Sequence, residues 1–151
     1  MTDGNSDTLK RHLSAEAGHD AGAAAACYAE DGWYEHVALG LRFEGRDAVE
    51  AQYASSYATF PDLAFEIEGE VLSGDIAVHW GRIRGTATGE FLGQMPTGRS
   101  VDVAMTAIYE LRNGVISSER VFLDLATMAA QAGWHLDEIR TALGLDTTST
   151  P

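Results

Sequence analysis

The stretch VDVAMTAIYELRNGVISSERVFLD, residues 101–124, decides the architecture. At its centre, Arg112-Asn113-Gly114 is a tight-turn signal, because Asn and Gly tolerate the positive φ that a short hairpin loop needs. Val101 to Leu111 and Val115 to about Asp124 flank the turn. Both are rich in β-branched and aromatic residues and read as two antiparallel strands. The first is apolar on both sides for much of its length, so both faces need cover.

Further strands lie upstream. Pro96-Thr97-Gly98-Arg99 reads as a turn, and Ile76 to Gly89 as a long strand with Ile76, Val78 and Trp80 on one face. Gly74-Asp75 links it to Leu63–Ser73, where Leu63, Phe65, Ile67 and then Val71 alternate with polar residues. The first half of the chain is helical. Thr8 is placed to cap a helix through about Ala17, with Leu9, Leu13 and Ala17 on one face, and Asp20 to cap an Ala-rich helix through Glu30. Trp33 to Val37 suits a short strand. Gly45-Arg46-Asp47 opens a third helix through about Tyr57, with Val49, Tyr53 and Tyr57 on one face. Two helices, 126–132 and 136–143, close the chain around Gly133. Helices followed by hairpin-linked strands predict an α+β fold with a mixed or antiparallel sheet. Helices cover one sheet face; a second copy of the chain covers the other, giving a homodimer.

The 151 residues suit a single domain, with a core over about 8–134 and polar tails at 1–7 and 146–151. Asp and Glu number 23 against 10 Lys and Arg, for a net charge of -13, which repels nucleic acid and anionic membranes alike. One cysteine, Cys27, forms no intrachain disulfide and reads as a small buried helix residue. No apolar run approaches the ~18 residues of a membrane span, and the first residues hold no apolar leader segment, so the expected location is cytoplasmic. The sequence holds no HExxH, no Cys–His cluster, no GxGxxG between strand and helix, no P-loop and no GxSxG, so neither a metal nor a cofactor is expected.

Several phrases occur in a telling order. Gly18-His19-Asp20 begins the helix that ends Tyr28-Ala29-Glu30-Asp31, with His36 soon after. Phe60-Pro61-Asp62-Leu63, Gly85-Thr86-Ala87-Thr88-Gly89-Glu90-Phe91, Pro96-Thr97-Gly98-Arg99 and Asn113-Gly114-Val115-Ile116 follow, then Asp124, Gln131 and Gly133. Over about residues 9–134 the chain resembles the SnoaL-like polyketide cyclases of the NTF2-like and ketosteroid-isomerase-like superfamily. The resemblance implies a cone-shaped α+β barrel, a strongly curved sheet closed by the N-terminal helices around a deep apolar pocket. It also implies cofactor-free aldol-type ring closure with one Asp moving protons, and the matching position is Asp124.

Asp124 stands out on its own terms as well. It ends an apolar strand, and by alternation shares a face with Ile116, Ser118, Arg120 and Phe122. On a pocket wall it loses solvation and becomes a general acid–base; as an N-cap of the following helix it has only a structural role. Arg120 is placed either to hold Asp124 charged and steady an oxyanion, or in a surface ion pair with Glu119 or another acid. His36 matches a histidine of the family pattern and is either a substrate-orienting group or a half-exposed strand residue. His79, opposite in phase to Val78 and Trp80, is expected on the dimer side, and His12, His19 and His135 in structural or solvated places. Tyr34, Tyr53, Tyr57, Phe60, Trp80, Met105 and Phe122 are the expected lining of a pocket for a small apolar organic substrate, or plain core. The functional expectation is an enzyme acting on an apolar, polyketide-like carbonyl compound. Epoxide hydrolysis or hydroxylation in the same pocket and ligand binding without turnover are the alternatives.

Overall fold

The structure is a computed structural model, and it describes residues 3–145. Six strands form one sheet: β1 (Tyr28–His36), β2 (Leu41–Glu44), β3 (Ala64–Ser73), β4 (Ile76–Thr86), β5 (Ser100–Arg112) and β6 (Val115–Leu123). Their spatial order is β2-β1-β6-β5-β4-β3. All pairs are antiparallel except β1 with β6. The helices are α1 (Asp3–Ala17), α2 (Ala21–Ala26), α3 (Arg46–Thr59), α4 (Leu125–Ala132) and α5 (Leu136–Ala142).

The hairpin signals hold. Asn113 and Gly114 take φ of 55° and 77°, and Gly74 takes 57° between β3 and β4. Asp20 caps α2 by accepting from the Ala23 amide at 2.9 Å. The first helix differs from the sequence expectation. It begins at Asp3, so Thr8 is an interior residue, and residues 3–7 are helical and not a tail. The reason is a docking site at the β5–β6 turn: Thr8 Oγ1 donates to the Gly114 carbonyl at 2.6 Å, and Asn5 Oδ1 accepts the Gly114 amide at 2.9 Å. The second helix stops at Ala26, and the chain turns extended at Tyr28. The expected tail at 146–151 lies outside the described residues.

One irregularity governs the site. Leu111 pairs with Ile116 while Glu110 pairs with Ser118, so Ser117 is an extra residue in β6. Such a bulge shifts side-chain alternation by one position. Ile116 points inward before it, and Glu119, Val121 and Leu123 point inward after it, whereas Arg120 and Phe122 point outward. A second bulge in β3, between Ile67 and Gly69, leaves Glu68 unpaired and puts Gly69 opposite Trp80. The missing side chain gives the Trp80 indole its seat: a Cβ on Gly69 would lie 2.0 Å from that ring.

Candidate active site at the cavity floor

A cavity of about 360 Å³ lies between the inner sheet face and the helices. Two neighbouring cross-strand rows form its floor. Tyr34 of β1, Glu119 of β6 and Tyr109 of β5 make one row; His36, Val121, Ala107 and His79 make the next, ending on β4. α3 adds Tyr53 and Tyr57 from one face, four residues apart and so one turn above each other. Phe60, Met105 and Phe91 complete much of the wall.

Glu119 lies at the centre of the floor. It is 2% exposed. Its Oε2 accepts from the Tyr53 hydroxyl at 2.7 Å and from the Tyr28 hydroxyl in a still shorter bond. His12 Nε2 stands 3.7 Å from the same oxygen. Among the described residues, Oε1 accepts no hydrogen bond, and Glu119 lines the cavity. His12 is fixed by its Nδ1, which lies 3.1 Å from the Ala24 carbonyl and therefore donates; Nε2 is 3.0 Å from Glu16 Oε1. Burial and the nearby Glu16 carboxylate lift the Glu119 carboxyl from 4.5 to about 7, although His12 and the two tyrosine hydroxyls pull the other way. Burial disfavours the His12 cation, but Glu16 and Glu119 outweigh it and hold His12 well above the ordinary histidine value. The arrangement is a buried acid that exchanges a proton near neutrality, braced by a histidinium–carboxylate pair.

Ligating atoms of His12, Glu16 and Glu119 lie within 4.8 Å of one another, a spacing that suits a divalent ion. The facing donors are already engaged, however: Glu119 Oε2 by two hydroxyls and His12 Nε2 by Glu16. As it stands the cluster is a hydrogen-bonded one.

The expected site residues divide sharply. Tyr34, Tyr53, Tyr57, Phe60, Met105 and His36 line the cavity. His36 is 8% exposed; burial lowers its pKa from 6.5 to about 4, so its ring is neutral at pH 7. Four expectations need correction. Asp124 is not on the cavity wall: it caps α4 in solvent, where Thr127 donates its amide at 3.0 Å and its hydroxyl at 2.6 Å, and these two bonds hold its pKa below the ordinary value. Arg120 does not reach Asp124. It lies on the outer face, 4.9 Å over the Trp33 ring and 3.7 Å from Glu110 Oε1, while Arg42 covers the same ring at 3.7 Å. Phe122 and Trp80 also face outward, half-exposed, because the β6 bulge and the phase of β4 place them there.

His79 makes the opposite move. It faces the cavity, beside Tyr109, with Nε2 2.6 Å from Glu70 Oε2 but out of line for a hydrogen bond. From the sequence, Glu119 is expected only as an ion-pair partner for Arg120 and His12 in a structural or solvated place, and Glu16 has no role. The signal for α1 was present, since Asn5, Thr8, His12 and Glu16 recur at helical spacing as a polar stripe, and all four are buried. The signal for Glu119 was hidden by the bulge.

The comparisons agree on what kind of protein this is. The family model described as SnoaL-like polyketide cyclase matches residues 8–132. No curated protein is matched. Among solved structures, a candidate SnoaL-like polyketide cyclase from Jannaschia sp. CCS1 is 27% identical, with 85% of this chain and 92% of that one covered and a TM-score of 0.76. IdmH, a candidate polyketide cyclase from Streptomyces antibioticus, is 26% identical, with 85% and 98% covered and a TM-score of 0.71. A hypothetical protein from Catenulispora acidiphila with a ketosteroid isomerase-like fold, solved with trimethylamine, is 23% identical, with 86% and 95% covered and a TM-score of 0.74, a likeness of fold alone. With a curved six-stranded sheet, helices closing its open side and a family model matched over residues 8–132, the chain belongs to the SnoaL-like polyketide cyclase family and has the NTF2-like, ketosteroid isomerase-like fold.

Proposed function

We propose that this chain is an enzyme of proton transfer at carbon, acting on an apolar carbonyl compound, with Glu119 as its acid–base. The observation that supports this is the free Oε1 of a buried carboxyl whose pKa sits at about 7 on the floor of an apolar cavity. Ionised Glu119 takes a proton from the carbon beside the carbonyl, and the C–H electron pair passes into an enolate. Where a second carbonyl lies in reach, the enolate carbon bonds to it, and Glu119 returns its proton to the new alkoxide. Among the described residues the Tyr57 hydroxyl has no partner; the residue lines the cavity, and burial raises its pKa above the ordinary tyrosine value, so it stays a donor for such an oxygen.

The test is deuterium uptake by 2-tetralone in D2O, followed by NMR. Wild-type protein should accelerate exchange beside the carbonyl, and Glu119→Gln should slow it by about a hundredfold or more. Equal rates would remove Glu119 from the chemistry. Binding without turnover is the second reading, favoured by the solvent-facing position of Asp124; a wild type that binds 2-tetralone but exchanges none of its protons would establish it.

The outer sheet face supports a homodimer. Trp80, Phe122, Ile76 and Val71 are all at least 40% exposed there, a larger apolar surface than a lone subunit usually leaves in water. Sedimentation at micromolar concentration tests it, and Trp80→Arg should shift the protein to monomer.

A further inference from the structure

The cavity has a marked charge character that ring closure alone does not require. Three acids, Glu16, Glu90 and Glu119, line it, and among the described residues no Lys or Arg does. Inside the floor cluster, two carboxyls face one cation. His12 pairs with Glu16 at 3.0 Å, so Glu119 has no full counter-charge of its own. Its Oε2 is held by two neutral hydroxyls, and its Oε1 is left to whatever enters.

The surroundings of Glu119 are aromatic. Tyr34 and Tyr109 flank it on the neighbouring strands, and Tyr53 comes down from α3. Tyr34 and Tyr53 meet edge to face at 5.7 Å. All three rings line the cavity, and burial keeps their hydroxyls protonated, so they present rings and not phenolates. Tyrosine rings beside a carboxyl that shares its one nearby cation, His12, with Glu16 are the physical make-up of a site for an organic cation. A further observation points to a ligand independently. Among the described residues His36 Nδ1 is buried without a hydrogen-bond partner at one end of the adjacent row, and His36 lines the cavity; at the other end His79 Nε2 stands 2.6 Å from Glu70 Oε2.

We propose that the ligand of this cavity is a cationic amine: an apolar body carrying a protonated or quaternary nitrogen that seats against Glu119 Oε1 among Tyr34, Tyr53 and Tyr109. This rests on the reading of Glu119 as the working acid–base and adds a substrate class to it. The two roles agree physically. A cation beside Glu119 favours its ionised form, which is the form that removes a proton, and a carbon lying between an ammonium and a carbonyl gives up its proton readily. Anionic ligands would meet acid and no base. The field of the whole chain, with its net charge of -13, draws cations and repels anions on approach.

The experiment uses the full chain and three probes of one shape and different charge: benzyltrimethylammonium, neopentylbenzene and phenylmethanesulfonate. Titration calorimetry on the wild type should show the ammonium binding roughly tenfold or more tighter than the neutral isostere, with no binding of the sulfonate. In Glu119→Gln the ammonium should fall to the level of the neutral probe. Equal binding of the three by the wild type, tighter binding of the neutral or anionic probe, or an ammonium preference that survives Glu119→Gln overturns the proposal. The wild-type series needs no variant to fold. The two readings fail separately: exchange of 2-tetralone that depends on Glu119, with no charge preference, keeps the acid–base and removes the amine. A strong preference for the ammonium with no exchange does the reverse.

Discussion

The Tyr53 hydroxyl donates to Glu119 Oε2 across 2.7 Å, tying the middle of α3 to the middle of β6 at the floor of the cavity. That bond favours the charged carboxylate, as does the one from Tyr28. Removing it in Tyr53→Phe should raise the Glu119 pKa above about 7, by roughly one unit. In a pH profile of 2-tetralone exchange, the limb that reports ionised Glu119 moves to higher pH by that amount. An unmoved limb would show that another group titrates there.

Glu119→Gln tests the cost of keeping an acid in a dry place. The folded pKa is about 7 and the ordinary value 4.5, so the folded state binds more protons between these limits. Stability contributed by the neutral acid is therefore full below 4.5 and lost as pH rises through about 7. The amide has no such loss. At pH 8 the variant should be more stable than wild type by up to about 3 kcal/mol, and at pH 5 the two should be nearly level. Urea unfolding at both values measures this. The raised pKa of His12 also costs the wild type stability on the alkaline side, so the full pH curve is read with His12→Asn alongside.

His36 has the opposite sign. Its folded pKa of about 4 lies below 6.5, because burial opposes the cation. Its contribution is whole above 6.5 and is lost as pH falls from there toward 4. His36→Leu should flatten that acid-side decline by up to about 3 kcal/mol, seen as a smaller drop in Tm between pH 7 and 4.5.

Asp124→Ala separates capping from chemistry. With both carboxylate bonds made to Thr127, the variant should lose a few degrees of Tm and keep its exchange rate. A rate loss restored by Asp124→Glu but not by Asp124→Asn would instead return Asp124 to the reaction.

Gly81 of β4 has no room for a side chain, since a Cβ there would lie 1.8 Å from the Glu66 carbonyl oxygen. Gly81→Ala should force β3 away from β4 and lower Tm by several degrees, by calorimetry.

Much of this was legible in the sequence. The hairpins, the third helix and the α+β order follow from turn residues and periodicity; Tyr34, Tyr53, Tyr57, Phe60 and Met105, which the sequence leaves between pocket lining and plain core, lie along the cavity. Two physical features hid the rest. First, alternation was carried through β6 as if it were regular, and the extra Ser117 reversed it, exchanging Glu119 for Arg120 and Phe122. Second, apolarity usually marks the inward face, but β4 turns Ala77, His79 and Gly81 inward and Ile76, Val78 and Trp80 outward. On this strand small and polar residues take the hollow side, so hydropathy alone points the wrong way. The same logic covers α1, whose buried face includes Asn5, Thr8, His12 and Glu16, and so does not read as a core-facing stripe.

The single unpaired residue in β6 also has an evolutionary reach. Deleting Ser117 would join Ile116 directly to Ser118 and restore strict alternation, with Ile116, Glu119, Val121 and Leu123 still facing the hollow. One lost codon here would thus straighten the strand and spare the acidic floor, whereas the loss of a paired residue elsewhere in a strand turns every later side chain over. A relative whose last strand is one residue shorter at this point should therefore keep its acid at the floor.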